Sequence, residues 1–260
     1  MSKLIKCLEN KAVVSLQQAK SCLAEKENKI MMRLDKFLTE CGIGSRSEVK
    51  KFIAPKKINV NGIAAKNGDI KIDESSDCIE FNGNKLEYKQ FRYYVMNKPA
   101  GYITATEDKR EKTVMDILPE WVIKKDLFPI GRLDKDTEGL LLFTNDGEFS
   151  HKILSPKNHV EKEYFVTLEK DISDEDLKKI ESGVTIEGGY LTKKAKSERV
   201  SEKEILLTIV EGKFHQVKQM MEAVQNIVVY LKRVRFADVV LGNMEIGSVK
   251  EIEKEEICKI

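Results

Sequence analysis

Between Gly131 and Gly147 the chain reads Gly-Arg-Leu-Asp-Lys-Asp-Thr-Glu-Gly-Leu-Leu-Leu-Phe-Thr-Asn-Asp-Gly, and this stretch holds the residues best suited to chemistry. A glycine turn opens it, and Arg132, Asp134, Lys135, Asp136, Thr137 and Glu138 follow in close succession. An apolar run from Leu140 to Phe143 then reads as a buried strand, and Asn145-Asp146-Gly147 reads as a turn that closes it. A loop so rich in ionisable groups, set just ahead of a buried strand, can hold a carboxylate at a fixed place, where it can act as a nucleophile or a base. Asp134 and Asp136 are the two candidates, although an Asp in a glycine-rich turn most often builds the turn itself. Two further residues carry reactive groups at distant positions. Tyr164 stands in a β-forming run and Lys218 in a helical one; taken singly, they read as a packing residue and a solvated cation. His215 is an imidazole that invites an acid/base role but has no partner identifiable along the sequence. Lys98 and Pro99 read as shaping a turn, and Trp121 as packing.

Stepping outward, the 260 residues suffice for a small and a medium domain. Basic residues (45) nearly balance acidic ones (43), so net charge does not select a partner, but the distribution does. From Arg33 to Lys57 seven basic residues face three acidic ones, and from Gly68 to Tyr88 six acidic face two basic. A segregated basic face suits a polyanion. Five scattered cysteines without a Cys-x-x-Cys pair, far in sequence from the three histidines, argue against a disulfide framework or a zinc site and for a reducing cytoplasm. No apolar run is long enough to cross a membrane, and the N-terminus lacks the apolar core of a signal peptide.

The elements follow from periodicity. Residues 1–31 form an extension in which Leu4, Leu8, Leu16 and Leu23 fall near helical spacing, and no function is assigned to it. Leu34, Phe37 and Leu38 line one face of a helix that Gly42 and Gly44 break. Ser45 and Glu48 have the capping-box spacing for a second helix, which turns Val49, Phe52 and Ile53 inward and Arg46, Lys50 and Lys51 outward. Short strands follow at 58–62, 70–72 and 78–81, with Asn61-Gly62 and Asn82-Gly83 as hairpin turns. In the second half, strands are expected at 92–96, 164–168, 183–186 and 205–210. Helices are expected at 149–154, after Ser173 and from His215 to Val224, with a short helical piece ending at Ile117-Leu118-Pro119. Elements that alternate this irregularly define an α+β protein: a small domain followed by a mixed, mainly antiparallel sheet with flanking helices.

Two resemblances emerge. Arg33-Leu34-Asp35-Lys36-Phe37-Leu38, Ser45-Arg46-Ser47-Glu48 and Ile58-Asn59-Val60-Asn61-Gly62 resemble the S4 domain, a small RNA-binding module. Gly131-Arg132-Leu133-Asp134-x-Asp136-Thr137-x-Gly139-Leu140, Glu161-Lys162-Glu163-Tyr164-x-Val166 and Glu211-Gly212-Lys213-Phe214-His215-Gln216-Val217-Lys218 resemble the motifs of pseudouridine synthases. The branch typified by the small-subunit ribosomal enzyme fits best, because Asn97-Lys98-Pro99-x-Gly101 and an N-terminal S4 domain belong to it. The resemblance implies an S4 domain at 32–89, with Arg46, Lys50, Lys51, Lys56 and Lys57 meeting RNA, and a catalytic domain at 90–260. By the same resemblance Asp134 is the catalytic carboxylate, and Lys218 the cation that keeps it ionised. Tyr164 is the ring that packs on uracil and helps remove the C5 proton. Arg132 fills the gap left by a flipped-out nucleotide, Asp136 falls back to shaping the turn, and His215 is structural or positions RNA. No cofactor and no metal are implied. The family commonly has a basic residue where Gln219 stands and glycines near Ala237-Asp238, departures at the edge of the RNA site, while Leu231-Lys232-Arg233-Val234-Arg235 keeps the usual basic character.

The expected activity is isomerisation of a specific uridine in ribosomal RNA, of the small subunit first and of the large subunit as the alternative target. The enzyme would be a cytoplasmic monomer acting on that RNA or on a pre-ribosomal particle. The competing class is an RNA-binding assembly protein with a dead isomerase fold. An intact Asp134, Tyr164 and Lys218 set argues against it.

Overall fold

The computed structural model describes residues 31–258 apart from residue 54, so the helix expected within residues 1–30 lies outside the described residues. The chain divides into two compact units, the first ending at Gln90 and the second beginning at Phe91.

The first unit comprises β1 (Met32–Arg33), α1 (Leu34–Glu40), α2 (Arg46–Ile53), β2 (Ile58–Val60), β3 (Ile63–Ala64), β4 (Lys71–Ile72), β5 (Ile79–Phe81) and β6 (Asn84–Lys85). The capping box forms as spaced: the Ser45 amide donates to Glu48 Oε2 at 2.8 Å, and the Glu48 amide donates to Ser45 Oγ at 3.4 Å. Leu34, Phe37 and Leu38 of α1 meet Val49 and Ile53 of α2 over Ile58, Ile72 and Ile79 in one core. Both Asn-Gly pairs have positive φ at each residue (53° and 79°, 52° and 82°), which gives a two-residue loop the twist that β2–β3 and β5–β6 pairing needs. Arg46, Lys50, Lys51, Lys56 and Lys57 are all exposed. Arg33 is committed within the fold to Asp35, at 2.7 Å, and to Asp69.

The second unit comprises β7 (Tyr93–Lys98), β8 (Phe128–Ile130), β9 (Glu138–Thr144), α3 (Gly147–Leu154), β10 (Lys162–Leu168), α4 (Asp174–Ser182), β11 (Thr185–Ile186), β12 (Tyr190–Leu191), β13 (Lys196–Arg199), β14 (Glu204–Ile209), α5 (Gln216–Glu222), β15 (Val228–Phe236), β16 (Val239–Val240), β17 (Val249–Ile252) and α6 (Lys254–Ile257). Its main sheet runs β13-β14-β10-β15-β9-β7-β17, with β8 on β9 and β16 on β15, and only the β15–β9 pair is parallel. Apolar cores cover both faces of β9. Leu141 and Phe143 join one with Met96, Tyr164 and Met220, whereas Leu140 and Leu142 join the other with Ile130, Phe149 and Ile153. This two-sided burial is why residues 140–143 are apolar without alternation.

Three local expectations are corrected. Residues 117–119 do not end a helix; the segment is a chain of turns held by its own side chains, with Asp116 Oδ2 accepting from the Thr113 amide at 2.7 Å and Lys124 Nζ donating to the Met115 carbonyl. Asn145-Asp146-Gly147 closes the strand not as a free-standing turn but as the start of a helix, with Asp146 capping α3 by accepting from the Phe149 amide at 2.9 Å. The stretch that reads only as a basic segment, Leu231 to Arg235, lies in β15, which is central in the sheet.

Candidate active site

Asp134 lies in the loop between β8 and β9, and that loop is fixed from beneath by its backbone. Lys98, at the end of β7, is 0% exposed, and its Nζ donates to the carbonyls of Pro99, Asp134, Lys135 and Thr137 at 2.8–3.4 Å. Burial pulls this ammonium down to about 8. Thr104 grips Leu133 on both sides, its Oγ1 donating to the Leu133 carbonyl at 2.7 Å and accepting from the Leu133 amide at 3.1 Å. The Gly101 amide donates to the Lys135 carbonyl at 2.7 Å. Lys98 therefore does more than shape a turn: it is the buried cation around which the loop folds.

Around the Asp134 side chain, which is 28% exposed, a lysine ammonium and an imidazole converge. Lys218 Nζ of α5 is 3.5 Å from Oδ2, and His215 Nε2, at the start of that helix, is 3.6 Å from Oδ1. Lys218 also binds both oxygens of Asp136 at 2.8 Å, and this hydrogen-bonded cation holds Asp136 below the usual carboxylate range. Two sequence readings change here. Asp136 is the tighter partner of Lys218 and not merely a turn residue, and His215 does have a partner.

Gly139 sets the depth of the site. In β9 it has φ +102° and lies opposite Arg233 of β15, where an added Cβ would stand 2.2 Å from the Arg233 carbonyl oxygen. Arg233 in turn lies opposite Tyr164 of β10. Its side chain is 2% exposed; Nε donates to the Leu140 carbonyl at 2.8 Å, whereas Nη2 has no hydrogen-bond partner. Lys162, two residues before Tyr164, is also buried, and its ammonium is drawn down to about 8 by burial and then by the charge of Arg233.

These groups enclose a cavity of about 710 Å³ whose lining includes Arg132, Asp134, Lys162, Tyr164, His215 and Arg233. A narrower recess of about 80 Å³ shares Arg132, Asp134 and Tyr164 and adds Thr137, Ile209 and Leu231. Glu211 braces the far wall, accepting from Tyr190 Oη at 2.8 Å, from the Lys193 amide at 2.9 Å and from Gln216 Nε2 at 2.7 Å. The sequence-predicted residues Arg132, Asp134, Tyr164 and Lys218 thus come together. Arg46, Lys50, Lys51, Lys56 and Lys57 belong to the other unit. Among the residues that sequence reasoning missed or undervalued are Lys98, Thr104, Lys162, Glu211 and Arg233. Lys98 ends a strand that is buried throughout, whereas Lys162 and Arg233 fall on the buried positions of their strands, Lys162 in phase with Tyr164 and Val166 and Arg233 in phase with Leu231. Among the described residues no cluster of His, Cys, Asp and Glu could hold a metal ion, and no helix is long and apolar enough to cross a membrane.

A small helix-and-hairpin module with exposed cations, preceding in the chain a unit with a carboxylate-bearing cavity, suits an enzyme acting on a polyanion. The comparisons identify it further. Residues 92–223 match the RNA pseudouridylate synthase family and residues 32–77 the S4 domain. An uncharacterized RNA pseudouridine synthase of Bacillus subtilis is 47% identical over 87% of this chain and 97% of its own. The ribosomal small subunit pseudouridine synthase A of Yersinia pestis is 40% identical over 88% and 98%, and that of Escherichia coli 38% over 88% and 100%. A crystal structure of a pseudouridylate synthase superposes with a TM-score of 0.61 at 36% identity, covering 87% of this chain and 98% of that one. The chain belongs to the RNA pseudouridine synthase family and is an isomerase of RNA uridine with an S4 domain.

Proposed function

We propose that the protein isomerises a uridine of small-subunit ribosomal RNA and that Asp134 is the carboxylate that does it. The target reading is supported by relatives that bear the name of the small-subunit enzyme at about 40% identity over nearly their whole length. The observation that carries the catalytic reading is the Asp134 carboxylate, between Lys218 and His215, facing a cavity roomy enough for a nucleotide while its backbone is tied to Lys98. In the isomerisation the N1–C1′ bond breaks, C5 joins C1′, N1 gains a proton and C5 loses one, so nothing but the nucleoside is consumed. An ionised Asp134 attacks the nucleoside or removes a sugar proton; both routes need a fixed, charge-stabilised carboxylate. Tyr164 packs on the uracil and assists loss of the C5 proton. Lys218 stabilises the ionised carboxylate, with Asp136 holding the ammonium in place. Arg132 at the cavity edge takes the space of the extruded nucleotide.

The test is pseudouridine mapping of ribosomal RNA in cells that lack the gene, complemented with wild-type or Asp134→Asn protein. Wild type restores one site in small-subunit RNA. The variant restores none and loses at least about a thousandfold in turnover in vitro, with RNA affinity within about twofold of wild type. A restored site in large-subunit RNA overturns the target assignment, and an active Asp134→Asn protein overturns the residue assignment.

A further inference from the structure

We propose that Phe214, backed by His215, is a stacking platform for an unpaired base next to the target uridine, so that the substrate must be single-stranded on the flank that passes over the 212–215 turn. The inference rests on the reading of the Asp134 cavity as the uridine site and specifies what lies at its rim.

Phe214 is the most exposed large apolar side chain among the described residues, at 74%. A ring left in water forgoes burial that would stabilise the fold, and it sits where the cavity opens, in the cavity lining itself. Its orientation is nevertheless fixed. The ring lies on the His215 imidazole with centroids 3.7 Å apart and planes 20° apart. Among the described residues no second ring stacks on it. His215 holds a left-handed backbone, φ 49°, an unfavourable conformation for a residue other than glycine that persists only where its surroundings impose it. Those surroundings are visible. The Lys213 amide donates to Gln216 Oε1 at 2.8 Å, Gln219 Nε2 donates to the Phe214 carbonyl at 3.0 Å, and Gln219 Oε1 accepts from the Glu187 amide at 3.0 Å. Gln219 is the position that departs from the basic residue common in the family, and here it pins the carbonyl of the exposed phenylalanine.

The column Phe214–His215 ends 3.6 Å from the Asp134 carboxylate. A base laid on the outer face of Phe214 is therefore separated by two stacked rings from the imidazole edge that meets Asp134, near enough to belong to a nucleotide neighbouring the one in the cavity. The rim supplies charge for its phosphates: Arg132, Lys135, Lys193 and Lys213 line the same cavity, and Lys213 lies over the Tyr190 ring at 4.3 Å. Aromatic rings flanked by cations are how proteins hold single-stranded nucleic acid, and a base already paired in a helix has no free face to offer. A protein partner would not require a ring stacked on a second ring at the mouth of the nucleotide cavity.

The experiment uses full-length protein and the modified segment of ribosomal RNA carrying 2-aminopurine on either flank of the target. In the Asp134→Asn background, binding quenches the probe several-fold on one flank. Phe214→Ala in that background removes the quench and weakens binding roughly 5- to 100-fold, whereas Phe214→Trp retains both. In otherwise wild-type enzyme Phe214→Ala raises KM by a similar factor and leaves kcat within about twofold. Unchanged melting temperature in the alanine variant verifies folding, since the ring is exposed. Persistent quenching in Phe214→Ala overturns the proposal, as does a loss carried by kcat alone. Failure of the underlying reading looks different: wild-type enzyme would then release no tritium from RNA labelled at uridine C5, whatever the probe reports.

Discussion

At the scale of the residue, the site depends on charges kept where water is scarce. Lys98 and Lys162 are both buried and both pulled to about 8. Free lysine titrates at 10.5, so between about 8 and 10.5 the unfolded chain keeps protons that the folded chain has released. The contribution of these two residues to stability therefore rises with pH through that window and is at its least favourable below it. Lysine-selective ¹⁵N NMR should show two Nζ resonances titrating near pH 8. Lys98→Met removes one and Lys162→Met the other; two resonances that stay near 10.5 would contradict the burial argument. Lys98→Met also removes the ammonium shared by the carbonyls of Pro99, Asp134, Lys135 and Thr137. Lys98 ties the backbone of Asp134, and Asp136 holds the Lys218 ammonium that stands beside the Asp134 carboxylate.

At the scale of the element, the parallel contact of β9 with β15 determines how near Tyr164 and the Asp134 loop approach one another. That contact depends on Gly139, whose missing side chain lets the Arg233 backbone pass close by. Gly139→Ala forces a Cβ into backbone that cannot rotate away and adds an unfavourable φ, at a cost of roughly 3 kcal/mol or more. The expected result is a clear fall in the melting temperature of the second unit together with loss of turnover. A variant that melts and turns over as wild type would mean that β9 and β15 can separate without harm. The helix α5 is positioned similarly at its start, where Gln216 bridges Glu211 and Lys213 and so delivers both Lys218 and His215 to one carboxylate.

At the scale of the whole molecule, the chain joins a unit that offers exposed cations to one that offers a cavity. Arg46, Lys50, Lys51, Lys56 and Lys57 point to solvent, whereas Arg33 is held by Asp35 and Asp69. If the exposed five meet phosphates, binding carries a salt slope of about 0.7 to 0.9 per contact. Replacing Arg46, Lys50 and Lys51 by Ala should flatten the plot of log affinity against log salt by about two, with kcat on saturating RNA unchanged. An unaltered slope would place the phosphate contacts elsewhere. Arg33→Ala, by contrast, should act through stability, because its charge is already paired.

The sequence by itself determined what depends on near neighbours. The capping box of α2, the two Asn-Gly hairpins and the doubly buried strand β9 are legible because propensity, spacing and residue type act over a few positions, whereas Arg132, Asp134, Tyr164 and Lys218 are singled out by the resemblance of their motifs to a family. Tertiary structure decided the rest. Lys218 reaches Asp136 across 82 residues of chain, Lys98 reaches Thr137 across 39, and Arg233 lies on Gly139 only once two strands are parallel. No spacing announces such contacts, since each needs a complete sheet to bring its partners within a few ångströms. That is why Asp136 and Lys98 read as turn residues, His215 as unpartnered and β15 as a basic stretch until the fold assembled them around Asp134.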